Sequence, residues 1–369
     1  MSEEKRLRLT YGTFDVVGTI TVIPDKTFII NEQGKNNKNF VYNRINMKME
    51  DDNGDVFYLN AMNGFDKKKG GVIFATIKDS NEQLEVNFAD RMNEKILENI
   101  DERSFIKVAL TKKEDENGRK VWDYKKFLAL YDVIEYLSER LETGMKLRIT
   151  GQLRYSTFND KTQIDHQINN VYLLSEEDNI KPRFMFRQNV LLKEDAVDLS
   201  EWDDNLIAKV NAEVLTKNKG QYKLLKLPMT VRATEENKEK MKKMIDRYLI
   251  VDSGKVRRIN LEGRFVNGYV GGQIQEEDLP EEALEMIELG LYDKEEVLKM
   301  YVNKERVEEM QIIRPVINRK QGEKPSVDWS DEEYTLEDLE NITTETPFEK
   351  TIKIEDDEED DLSFLDELE

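Results

Sequence analysis

The sequence predicts a mainly β protein with a few helices, built as two small barrels in tandem and followed by a disordered acidic tail. Three observations carry this expectation. Short runs of alternating polarity punctuated by glycine turns fill much of the chain, a strand–helix–strand unit occurs twice, and the charge is distributed very unevenly along the 369 residues.

Taken in order, Val16 to Ile23 reads as a strand, and Val41 to Met49 alternates apolar and polar residues. The turn Asp51-Asp52-Asn53-Gly54 then leads into Val56 to Asn60, which together form a hairpin signal. Further strands are expected at 72–76, 84–88 and 105–110. The first clear helix follows, with Leu130, Val133, Ile134, Leu137 and Leu141 on one face of a 3.6-residue period, ending at Thr143-Gly144. Strands over 146–153 and 163–174 come next. A second helix places Met241, Met244, Ile245, Tyr248 and Leu249 on one face, followed by Asp252-Ser253-Gly254 and a strand over 258–265.

The two helical stretches look like one unit used twice. In the first, Leu110-Thr111-Lys112, a turn at Asn117-Gly118 and a strand from Val121-Trp122 precede the helix, with Gly144 and Gly151 after it. In the second, Leu215-Thr216-Lys217, Gly220 and a strand from Tyr222 precede the helix, with Gly254 and Gly263 after it. Internal repetition argues for two domains. The polar stretch 176–182, ending in proline, supplies the boundary. The expected organisation is residues 1–178, 179–321 with a helical acidic insertion near 276–304, and a tail over 322–369. Strands plugged by a single helix, with glycines where a barrel strand must coil, describe the oligonucleotide-binding (OB) fold.

Composition excludes much chemistry. With no cysteine and only His166, disulfide scaffolds, thiol nucleophiles, Cys/His zinc centres and haem or iron–sulfur sites are ruled out. No P-loop or dinucleotide fingerprint occurs. No catalytic residue, metal site or cofactor is expected. The charged start MSEEKRLRL and the lack of a long apolar run point to a cytoplasmic protein, with no membrane partner.

The net charge of −21 looks wrong for a polyanionic partner until it is divided along the chain. Residues 322–369 hold 20 acidic and 3 basic side chains, and residues 276–309 hold 13 and 4. Residues 182–275, by contrast, hold 18 basic and 13 acidic side chains. The tail places seven consecutive acids ahead of Leu362, Phe364, Leu365 and Leu368. An apolar cluster in that setting is expected to bind a partner rather than only to solvate.

Bases interleave with aromatic residues along the expected barrel strands. In the first unit these are Lys67, Lys68 and Lys69 after Phe65, then Lys112, Lys120, Trp122, Tyr124 and Lys126, then Arg148, Arg154, Tyr155 and Phe158. In the second they are Lys217, Lys219, Tyr222, Lys223, Arg257, Arg264 and Tyr269. Cations that track phosphates and rings that stack on bases are the two ingredients of single-strand recognition. Trp122 and Tyr124 share a strand face with Lys120 and Lys126.

With its OB-like units and the acidic end EDDEEDDLSFLDELE, the chain resembles the single-stranded DNA-binding proteins of bacteria and their phages. The resemblance implies sequence-independent coating and protection of single-stranded DNA in replication, recombination and repair. It also implies an acidic tail that competes with DNA and recruits replication or recombination proteins. Two other classes are open to the same residues. One is a protein-interaction module or DNA-mimicking inhibitor, which would show no oligonucleotide affinity. The other is a metal-dependent nuclease or annealing recombinase, which would degrade or anneal strands.

Overall fold

A computed structural model describes residues 7–52, 54–158, 161–218, 220–271, 279–289, 297, 304–319 and 324–344. The first half contains β1 (Gly12–Thr21), β2 (Phe28–Gln33), β3 (Phe40–Glu50), β4 (Val56–Asp66), β5 (Val72–Thr76), β6 (Gln83–Asn87) and α1 (Glu94–Leu97). It continues with β7 (Ile106–Glu114), β8 (Lys120–Phe127), α2 (Leu130–Ser138), β9 (Lys146–Phe158) and β10 (Lys161–Leu174). The second half begins with β11 (Arg183–Leu192), β12 (Val197–Asp198), α3 (Trp202–Asn205), β13 (Ile207–Asn218), β14 (Gln221–Arg232) and α4 (Lys238–Met244). It ends with β15 (Arg257–Gly271), α5 (Glu281–Glu288), β16 (Lys304–Pro315), β17 (Ile317–Asn318), β18 (Ser326–Val327), β19 (Trp329–Ser330) and α6 (Leu336–Thr344).

In the second half, β11, β13, β14, β16 and β15 close on themselves. Every neighbour pair is antiparallel except β14 with β16, which meet in parallel at Thr230 and Gln311. A helix falls between the third and fourth strands, and its continuation buries Ile245 and Leu249 completely. This is the strand order of the OB barrel.

The first half repeats four of those five pairings with β1, β3, β4, β9 and β10, and there β10 ladders to β7 rather than to β4. The start of β1 pairs with β9 and its end with β3. β3 then pairs with β4, and β9 with β10. Helix α2 buries Val133, Ile134 and Leu137 completely, as its period requires. β1 also pairs antiparallel with β11, from Gly12 opposite Gln188 to Val17 opposite Arg183. The two units therefore share one sheet and one continuous apolar core.

The repeat is real, but its expected alignment needs correcting. The counterpart of β13–β14 is β3–β4, not the β7–β8 hairpin that precedes α2. Residues 67–129 are an added arm, in which β7 meets β10 in parallel over only Asn170–Tyr172 and β8 ends the sheet. A hairpin directly before a helix imitates the barrel's own connection, and only the ladder tells them apart.

Gly151 and Gly263 occupy matching places for one stereochemical reason. Gly151 lies opposite Phe14 of β1, and a Cβ there would come within 2.0 Å of the Gln167 carbonyl oxygen and 2.7 Å of the Phe14 ring. Gly263 lies opposite Phe186 of β11, with the Gln311 carbonyl oxygen at 2.2 Å and the Phe186 ring at 2.3 Å. Because the obstacle includes backbone, Gly151→Ala and Gly263→Ala should each lower unfolding free energy by about 3 kcal/mol. Urea melts would show this, and an unchanged midpoint would contradict it.

The expected disordered tail from residue 322 is also corrected. Ser326 to Thr344 contains β18, β19 and α6, with β19 pairing to β15 at Arg258 and Ile259. Tyr334 and Leu339 are 3% and 1% exposed, so this segment buries apolar surface on a folded partner that its composition alone did not reveal. Residues 345–369, including Leu362, Phe364, Leu365 and Leu368, lie outside the described residues.

Candidate nucleic-acid interface

The β3–β4 hairpin buries one phase of its alternation and exposes the other. Ile45, Met47, Met49, Phe57 and Leu59 point into the barrel. The opposite phase carries Phe40, Tyr42, Arg44 and Lys48 on β3, facing Tyr58, Met62 and Gly64 on β4. Tyr58 is 42% exposed. Phe40 and Tyr42 stack with centroids 6.1 Å apart at 24°, and the Arg44 guanidinium lies 5.5 Å from the Tyr42 centroid. Gly64 sits opposite Tyr42, where a Cβ would fall 2.4 Å from the Val41 carbonyl oxygen and 2.8 Å from the Phe40 ring. Only glycine leaves this aromatic row its place.

The inward phase fixes the hairpin against the helix. Asn43, fully buried, donates its side-chain amide to the Tyr131 carbonyl at 2.8 Å and accepts the Asn31 N–H at 2.7 Å. Buried amides satisfied on both sides resist sliding of the strand they sit on. At the hairpin's far end, Lys67, Lys68 and Lys69 are exposed in a turn where Asp66 accepts the N–H groups of Lys68 and Lys69 at 2.7 and 2.8 Å. The lysines expected from sequence thus continue a face that the sequence reading missed. Its signal was an aromatic and basic wet phase, Phe40, Tyr42, Arg44 and Lys48, within an otherwise ordinary alternating strand.

A second group gathers where the arm meets the barrel. Trp122 and Tyr124 of β8 converge on Tyr172 of β10, with centroids 5.5 and 6.1 Å away. Tyr172 was not anticipated. Ala109, opposite it in β7, is fully buried and offers no bulk beyond Cβ. Burial and the neighbouring Tyr124 raise the Tyr172 pKa, so it stays a neutral ring. The Lys112 ammonium lies 4.5 Å from the Trp122 centroid and bonds Asp178 at 2.5 Å. Lys120 pairs with Glu177 at 3.2 Å and Lys126 with Glu102 at 2.5 Å. Lys112 and Lys120 tie the arm to residues 177–178 and Lys126 ties β8 to Glu102 within the arm, which corrects the expectation that Lys120 and Lys126 simply flank the rings.

The outer side of the shared sheet collects Arg148, Arg154 and Arg264, joined by Arg183, Arg187 and Arg314, which were not singled out. Asp15 bonds Arg148 at 2.8 Å and Arg183 at 2.9 Å. Glu262 bonds Arg187 and Arg314 in the same way. Burial alone would raise both carboxyl pKa values, but the paired arginines win and lower them. Arg154 donates to Gln167 at 2.6 Å and Arg264 to Gln311 at 2.7 Å.

Tyr155, Arg257 and Tyr222, also expected, are engaged within the fold. Tyr155 is packed against the core with its hydroxyl 2.6 Å from the Gln188 Oε1, and burial raises its pKa. Arg257 is 5% exposed, bonds Asp331 at 2.7 and 2.8 Å and donates to the Ile250 carbonyl at 2.9 Å. With Asp331 in place, an arginine buried and satisfied in this way does not also meet a phosphate. Tyr222 packs beneath α6 and donates to the Leu7 carbonyl at 3.2 Å. Lys217 lies 5.1 Å from the Tyr222 centroid, and Lys223 is exposed. Lys219 and the side chains of Phe158 and Tyr269 fall outside the description.

His166 is buried at the junction of the barrels, with Phe14 and Phe57 rings at 5.2 and 5.1 Å and Phe265 at 6.3 Å. Both ring nitrogens are buried, and the Asn60 backbone is the polar group beside them. Among the described residues no His, Asp and Glu cluster could hold a metal ion, and no helix is long and apolar enough to cross a membrane.

No family model matches the chain, and no curated protein matches it. The solved structures similar to the chain include two of the single-stranded DNA-binding protein from Thermus aquaticus. A deletion mutant is 9% identical with a TM-score of 0.32, covering 85% of this chain and 99% of that one. The wild-type structure is 11% identical with a TM-score of 0.31, covering 70% and 87%. The OB assignment here stands on strand order and register.

Proposed function

We propose that this protein binds single-stranded DNA without regard to sequence, chiefly on the outer face of β3–β4. That face is formed by the second and third strands of an OB barrel, the surface on which such barrels take up oligonucleotides. The observation that carries the reading is the row Phe40, Tyr42, Arg44 and Lys48, with Tyr58 opposite Lys48, continuing at the other end to Lys67–Lys69. Rings stack on bases of any identity, and the cations follow phosphates. The Trp122, Tyr124 and Tyr172 platform supplies a second stacking surface off the barrel. Coating of this kind protects the strand and keeps it unpaired during replication or recombination. The acidic end, with Leu362, Phe364, Leu365 and Leu368, competes with DNA for cationic surface and recruits partner proteins.

Titration with oligo-dT, followed by tryptophan fluorescence, tests this. Trp122 and Trp329 are partly exposed, whereas Trp202 is 7% exposed. Binding should quench the emission and weaken log-linearly with salt, with a slope of about 0.7 per phosphate neutralised. A chain ending at residue 354 should bind more tightly at low salt. No binding at low salt would refute the proposal.

A further inference from the structure

The second barrel has the counterpart of the β3–β4 face, and the chain covers it with its own residues. Leu215 of β13 and Tyr222 and Leu224 of β14 lie on the outward phase. They form one apolar cluster with Tyr334, Leu336, Leu339 and Ile342 of the C-terminal segment, completed by Leu7 and Leu9. Leu215 is 0% exposed. Tyr334 donates its hydroxyl to the Arg8 carbonyl at 2.5 Å. Acids of the same segment meet the barrel's arginines: Asp331 binds Arg257 through two bonds, and Asp328 binds Arg258 at 2.9 Å, joined there by Glu333. The Trp329 ring lies 4.2 Å from the Arg257 guanidinium.

Rings on an apolar strand face and anions on arginines are the groups an oligonucleotide would itself present. We propose that residues 326–344 form a strap that closes a second single-strand site on β13–β14, so that DNA occupies the first barrel alone until the strap is displaced. Two strap side chains, Tyr334 and Leu339, and three barrel side chains, Leu191, Leu215 and Val256, are nearly or fully buried in this contact. Such a contact is held by apolar burial and is little weakened by salt, unlike a purely acidic competitor. Lys223 and Lys226 beside the strap remain exposed, which leaves a cationic margin where a long strand can begin to displace it.

This inference rests on the single-strand reading above, and its test separates the two. In the full chain, Leu339→Glu should loosen the strap, and the number of dT nucleotides covered per chain should rise roughly twofold as a second barrel is engaged. In a Tyr42→Ala/Tyr58→Ala background, the same change should recover about tenfold in affinity, equivalent to about 1.4 kcal/mol. In the unaltered chain, amides of residues 334–344 should stay protected from hydrogen exchange with an oligonucleotide that fills one barrel, and exchange faster under saturating long dT. Unchanged coverage in a folded Leu339→Glu chain, or unchanged protection under long dT, would overturn the strap. Failure of the full chain to bind any dT would overturn the single-strand reading instead.

Discussion

Replacing Tyr42 and Tyr58 together with alanine is expected to weaken oligo-dT binding by two orders of magnitude or more while leaving the fold intact. Each ring that stacks on a base contributes about 1–3 kcal/mol, and about 1.4 kcal/mol is a factor of ten. Both side chains are on the outward phase of β3–β4, whereas the barrel is held by the opposite phase, including Met47, Met49, Phe57 and Leu59. Stability should therefore fall by less than about 1 kcal/mol, as for surface substitutions generally. Arg44→Ala should act differently, reducing the salt slope by about 0.7 as one phosphate contact is lost. Fluorescence anisotropy across a salt series separates the two effects. Unaltered affinity in the double alanine variant would remove β3–β4 from the binding surface.

The second large effect is loss of stability in mild acid. Burial holds the His166 pKa down to about 4, the Asn60 backbone only partly opposing it, against 6.5 for an ordinary histidine. The rings of Phe14, Phe57 and Phe265 surround it, and none can accept a proton's charge. Between these two pKa values the unfolded chain binds the proton and the folded chain does not, so stability rises with pH there. The contribution is complete above about pH 6.5 and is lost progressively as pH falls toward 4, the loss reaching about 2 kcal/mol by pH 5. Urea unfolding at pH 7 and pH 5 should show that loss, and His166→Leu should remove this part of it. The consequence reaches the interface, because Phe57, which faces His166, is the neighbour of Tyr58 on the same strand. An equal pH dependence in the variant would contradict the assignment.

Much of this architecture was legible because it follows from local constraints. The spacing of Leu130, Val133, Ile134 and Leu137 dictates a helix with one buried face, and Gly151 and Gly263 mark the points where a Cβ would strike a facing carbonyl. The pairing of strands was less legible. The β7–β8 hairpin and β3–β4 have the same local grammar, and which of them enters the barrel depends on a ladder to β1, far away in sequence. The site was hidden for a related reason. Phe40, Tyr42 and Arg44 alternate with core residues as in any half-wet strand, while runs of adjacent lysines draw the eye. Several of those lysines, and Arg257, turn out to hold the fold together through carboxylates such as Glu102, Asp178 and Asp331. Acidity misled in the same way at residues 328–333, where the charges lie against Arg257 and Arg258 rather than in solvent.

Photocrosslinking tests the central claim most directly, because it reports which rings touch the bases. Oligo-dT carrying 5-iodouracil in place of thymine, bound to the full chain and irradiated, should crosslink to the β3–β4 peptides through Phe40, Tyr42 or Tyr58. A weaker yield is expected at Trp122, Tyr124 or Tyr172 on the arm. Crosslinks confined to the second barrel, with none on residues 40–66, would contradict the account.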